Sequence, residues 1–165
     1  SSASPCLTSV LREDNQMRSR LHAIAGIIGF LCILTFWTST AYSELFTSHE
    51  TITAVKAMIL RGMFILVPAM ALAGGLGMSV GAKWKSPLAL AKKSRMPIIA
   101  FNGLCILLPS AVFLAFKSGA GEFDRWFYAI QILELCAGAL NLSLMGLNIR
   151  DGLRMKGRIG KTKAG

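Results

Sequence analysis

Four runs of mainly apolar residues, each long enough to cross a bilayer, leave this chain few choices of fold. They lie at about residues 21–46, 52–82, 96–116 and 126–149. A helical crossing needs roughly 20 such residues. Hydrocarbon offers the backbone no hydrogen bonds, so each run must satisfy its own amides as a helix. The connections 47–51 (TSHET) and 117–125 (KSGAGEFDR) are short, which makes the helices they join antiparallel neighbours. The expected fold is all-α: an integral-membrane four-helix antiparallel bundle over 21–149. A polar segment, 1–20, precedes it and a basic tail, 150–165, follows it.

The net charge of +10 is gathered at the ends of these runs. Arg12, Arg18 and Arg20 precede the first. Lys83, Lys85, Lys92, Lys93 and Arg95 separate the second from the third, and Arg150, Arg154, Lys156, Arg158, Lys161 and Lys163 follow the fourth. None of these clusters interleaves with stacking aromatics, so nucleic acid is not an expected partner. Their position fits anionic lipid and the positive-inside bias, which puts both termini and the 83–95 loop in the cytoplasm. The first apolar run is too long for a signal core and is expected to stay attached as a membrane helix. Cys6, Cys32, Cys105 and Cys136 are widely spaced, with no C-x-x-C pair, and read as small hydrophobes.

Charges inside the runs demand partners. Lys56 and Arg61 stand in the second, Glu44 in the first and Glu134 in the fourth. Depth counted at 1.5 Å per residue sets Lys56 level with Glu44, and Arg61 level with Glu134. Two ion pairs are therefore expected, Glu44–Lys56 and Arg61–Glu134. In the last run Gln131, Glu134, Gly138, Asn141, Met145 and Asn148 alternate spacings of three and four, a polar seam that should face the interior. Asn102 matches the depth of Asn141. Gly26 and Gly29 match Gly74, Gly75 and Gly77, which predicts a close approach of two backbones. The pattern G-x-x-I-L-x-P occurs at Gly62–Pro68 and again at Gly103–Pro109. Its flanks do not align, and it reads as coincidence rather than as an inverted repeat.

Enzyme chemistry is not expected. The GGLGMSVG run (Gly74–Gly81) lacks the G-x-G-x-x-G spacing and a preceding strand, and no Ser-His-Asp, H-E-x-x-H or paired-carboxylate pattern is present. His22 and His49 are too far apart along one chain to share a haem. A haem b would need His22 with Met78, Met96 or Met145, or two copies of one histidine across a dimer. His49 with Glu50, Glu122 and Asp124 is the weaker choice, as a metal site.

The stretches RLHAIAGIIGF, FWTSTAYSELF, KKSRMPIIAFNG and LELCAGALNLSLMGLNIRDG resemble a family of small bacterial inner-membrane proteins. That resemblance spans most of residues 20–152 and implies no particular activity. The motif R-L-H-x-x-x-G (Arg20–Gly26) resembles the opening helix of PepSY-type b-haem membrane proteins, and implies haem ligation by His22. The expected function is a non-catalytic subunit or assembly factor of a larger inner-membrane complex, of the respiratory or photosynthetic electron-transfer kind. Its partners would be the bilayer and other membrane subunits or a second copy. The alternatives are a b-haem electron carrier using His22 and a small proton-coupled transporter using Arg61 and Glu134.

Overall fold

The computed structural model describes the backbone of residues 5–81 and 87–155, and the side chains of 13–77, 87, 90, 91 and 93–154. Met78, Lys83, Lys85, Lys92 and the tail from 156 onward, all used above, lie outside the described backbone or side chains. Among the described residues there are helices and no strands. They are α1 (Pro5–Phe46), α2 (His49–Gly81), α3 (Pro87–Phe101), a π-helical turn (Asn102–Leu107), α4 (Leu108–Gly119) and α5 (Arg125–Met155). Four rods are long and apolar enough to cross a membrane: Glu13–Phe46, His49–Gly77, Lys93–Gly119 and Arg125–Arg154.

Helix ends fall where the local chemistry dictates. Pro5 opens α1 and Pro87 opens α3, where the missing N–H costs nothing. The helical part of the expected basic loop therefore begins at Pro87, and the expected polar segment is helical from Pro5. The Ser48 backbone carbonyl accepts the Ile52 amide of α2 at 3.0 Å. Asp124 caps α5: its Oδ1 accepts the Phe127 N–H at 2.9 Å. Gly121 closes the preceding turn with φ at 72°, a left-handed conformation that suits glycine.

The third rod contains a wide turn because of Pro109. Proline supplies no N–H to the carbonyl one turn back and its ring crowds that carbonyl. The chain responds with longer-spanned bonds, the Leu108 amide reaching the Gly103 carbonyl. By contrast, α2 runs as α-helix through Pro68. One pattern, G-x-x-I-L-x-P, thus has two local outcomes.

The glycines do not pair with one another. A Cβ built on Gly29 would meet Met70 Sδ at 2.8 Å, and one on Gly138 would meet Trp37 Cδ1 at 2.8 Å. Phe36 fills the space over Gly62, and the Met96 methyl and the His22 ring fill that over Gly77. Gly26, Gly74 and Gly75 meet nothing within 4 Å. The expected glycine-to-glycine approach is replaced by large side chains seated on bare backbone, which buries more apolar surface per contact.

Two apolar clusters bracket the interior. Ile52, Leu114 and Phe127 close the end that carries the two short connections, backed by Phe123 and Ile130. Ile33, Ile99 and Met145 form the other cluster, with Phe30, Leu66 and Met70 packed against it.

Candidate functional site

Between these clusters lies a buried ionic layer. Lys56 is one turn inward of Ile52 on α2, and Gln131 one turn inward of Phe127 on α5. Lys56 Nζ donates to Glu134 Oε2 at 2.7 Å, with the lysine 1% and the glutamate 12% exposed. Gln131 Nε2 donates to the same oxygen at 3.4 Å. Glu44, from α1, stands in the electrostatic field of both Lys56 and Glu134, but Lys56 pairs with Glu134 alone, so the expected Glu44–Lys56 ion pair is not formed. Thr40 and Ser43 are buried on the same face of α1, and the Ser43 hydroxyl donates to the Thr40 carbonyl.

The expected Arg61–Glu134 pair is therefore not formed. The depth count was sound, but depth fixes only height on a helix. Ile52, Lys56 and Ile59 are buried and define the inward face of α2. Arg61 is five residues beyond Lys56, about 140° further round at 3.6 residues per turn. It is exposed. Lys56 occupies the Glu134 carboxylate in its place, and the layer holds two acids for one base. The oxygens Glu44 Oε1 and Gln131 Oε1 are buried without a hydrogen-bond partner. A cavity of about 50 Å³ adjoins the layer, with Thr40, Trp37 and Glu134 among otherwise apolar walls such as Ile59, Met63 and Leu66.

One level inward, Asn102 Nδ2 donates to Asn141 Oδ1 at 2.9 Å and to the Ala137 carbonyl at 2.8 Å. Asn102 opens the π-helical turn, so the wide turn and the interhelical bond occur together. Between the two levels, Trp37 Nε1 donates to the Leu135 carbonyl at 2.9 Å.

A second ionic layer lies at the opposite end. Asp151 is 1% exposed and accepts from Arg95 at 2.7 Å and from Arg150 at 3.1 Å. From the sequence, Arg95 and Arg150 read as topology charges, and Asp151 carries no assigned role. The signal that could have found them is depth again: Arg95 starts the third apolar run and Asp151 follows the fourth, so the two share a level. The helix of the fourth run continues to Met155, past the expected boundary at 149.

The His22 ring packs against α2. His22 Nδ1 stands 2.8 Å from the Ala73 carbonyl and donates to it. The ring lies against Gly77, with its Cε1 at 2.9 Å from the position of a Cβ there, and Met96 presses on the same point. Met70 fills the space at Gly29, and Met145 is buried beside Ile33 and Ile99. Gly29 and Gly77 are thus covered by side chains, while a Cβ on Gly26, Gly74 or Gly75 would meet nothing within 4 Å. At the other end His49 stacks on Phe123 at 4.0 Å, while Glu122 and Asp124 are both bound by Lys117, at 3.0 and 2.6 Å. Among the described residues no group of three or more His, Cys, Asp or Glu side chains is placed to hold a metal.

Outside the apolar spans, Asp124 is held below the usual carboxylate range. The Lys117 hydrogen bond is the largest cause and the Phe127 amide the next.

No protein-family model, no curated protein and no solved structure matches this chain.

Proposed function

We propose that the chain is a non-catalytic integral-membrane subunit, or an assembly factor, of a larger inner-membrane complex of the electron-transfer kind. In this reading it is a four-helix antiparallel bundle with both termini and the 83–95 loop on the cytoplasmic side, where the basic residues meet anionic lipid. The supporting observation is where the polar groups are spent. Lys56–Glu134, Trp37–Leu135, Asn102–Asn141 and Arg95–Asp151 each join one helix to another. Such contacts hold a scaffold together. Solubilised membranes resolved on a native gel test the reading. The chain should co-migrate with other subunits well above its own 17.8 kDa; migration alone or as a homodimer would overturn it.

A second reading rests on the ionic layer. Two acids share one base there, and Glu44 Oε1 has no partner. A proton-coupled carrier would therefore use Glu44, Lys56 and Glu134, rather than Arg61 with Glu134. Proton uptake by reconstituted vesicles decides it: Glu44→Gln should abolish uptake while the chain stays folded.

A further inference from the structure

We propose that Arg61 marks a docking seam for a membrane-spanning helix of a different subunit, one that carries a carboxylate near the bilayer centre. The proposal rests on the reading of the chain as a subunit of a larger complex and names the face and chemistry of the contact.

The span of α2 runs from His49 to Gly77, and its midpoint is Met63. Arg61 thus stands about 3 Å from the centre of the rod at 1.5 Å per residue. In a roughly 30 Å hydrocarbon layer centred on the rod, about 12 Å separates it from the nearer headgroup region. That is further than an arginine reaches by snorkelling. Its face of α2 is the one turned away from Lys56, and the ion pairs of the described residues are made by Arg18, Lys56, Arg95, Lys117 and Arg150. A guanidinium so placed is costly in lipid and needs an acid beside it.

The surroundings of Arg61 have the form of a helix-packing seam. Ala54, Met58, Arg61, Ile65, Pro68 and Leu72 are all exposed and alternate spacings of four and three. That is the repeat by which one helix presents a continuous stripe to another. The stripe is apolar on both sides of a single central charge. An approaching helix would bury Met58 and Ile65 and bring one acidic side chain to the level of Arg61.

A second copy of this chain cannot supply that acid. The chain has 8 acidic residues. Those within the membrane-crossing part face inward: Glu134 on Lys56, Asp151 on Arg95 and Arg150, and Glu44 in the layer between them. Glu13, Asp14, Glu50, Glu122 and Asp124 lie near rod ends or in the turn. A self-contact along the stripe would set Arg61 among apolar groups or against another arginine.

A photoreactive residue in place of Ile65, in the full chain and in native membranes, tests the seam. The expected adduct joins Ile65's position to a spanning peptide of another protein, with Asp or Glu within about one turn of the crosslink. Arg61→Leu should lower its yield about tenfold or more, and Arg61→Lys should retain most of it. Exchanging the charges, Arg61→Asp with the partner's acid changed to arginine, should restore it. As a folding control, the Arg61→Leu chain, isolated in detergent, should be as heat-resistant as the parent or more so, since the lost charge enters no ion pair among the described residues. Adducts to lipid only, to a second copy, or to a peptide without an acid overturn the proposal, as does a yield indifferent to Arg61→Leu. If a larger complex persists on native gels under those results, the seam fails while the subunit reading stands. If the chain migrates alone, both fail.

Discussion

Trp37 sits against the bare Cα of Gly138 and donates its indole N–H to the Leu135 carbonyl at 2.9 Å. This single contact fixes how closely α1 approaches α5, because the ring occupies the volume that any side chain at 138 would need. Gly138→Ala should therefore push the indole away and break its bond, at a cost of about 1–3 kcal/mol from overpacking. Thermal unfolding in detergent, followed by tryptophan emission, measures it. In a Trp37→Ala background the same change should cost much less, since the obstruction is gone.

The ionic layer makes a sharper forecast. Lys56→Met leaves Glu134 and Glu44 buried without their base. Breaking a buried pair from one side costs about 3–5 kcal/mol. Changing both partners, Lys56→Met with Glu134→Met, should recover much of that loss, because no lone charge remains. A double-mutant cycle on chemical unfolding reads the coupling.

Asn102→Leu should cost about 1–2 kcal/mol, the worth of an interhelical hydrogen bond in a membrane. Its effect should be smaller when Asn141 is already Leu, since only the bond to the Ala137 carbonyl is then left to lose. Hydrogen exchange at the Asn102 side-chain amide, which donates to Asn141, provides an independent readout, with protection reduced in Asn141→Leu.

The turn before α5 should respond to acid. Asp124 is depressed in the folded chain, chiefly by Lys117, so its contribution to stability is complete above the unfolded carboxylate value, about 3.9. It is lost as pH falls through the lower folded value. Asp124→Asn should thus lower the melting temperature by a constant amount at neutral pH, and that difference should shrink as pH falls below the unfolded carboxylate value and vanish below the lower folded one. Melting curves of both chains across pH 2 to 7 test the sign.

Much of this arrangement is legible in the residues themselves. Apolar length reveals the four rods, and counting from their ends sets Asn102 level with Asn141 and Lys56 level with Glu44. Phase around the axis is harder to read, because it depends on which face meets a neighbour. Arg61 lies at the right height and on the wrong side, and only the burial of Ile52, Lys56 and Ile59 reveals it. The glycines were misleading for a related reason. A missing side chain announces space but not its occupant, and here the occupants are Met70, Phe36, Trp37 and His22. The Arg95–Asp151 pair was obscured by its neighbourhood, since clustered basic residues at a rod end resemble simple orientation signals.

The wide turn at Asn102–Leu107 is, in effect, one residue of slack wound into a rod. Removing any residue elsewhere in that rod would swing one half about 100° against the other and carry Asn102 off Asn141. Removing one inside the turn would instead tighten it to ordinary pitch and leave both halves facing as before. Only the Pro109 ring would then object, and Pro109→Ala would quiet it. The third rod is thus the place where this chain can shorten without losing its alignment.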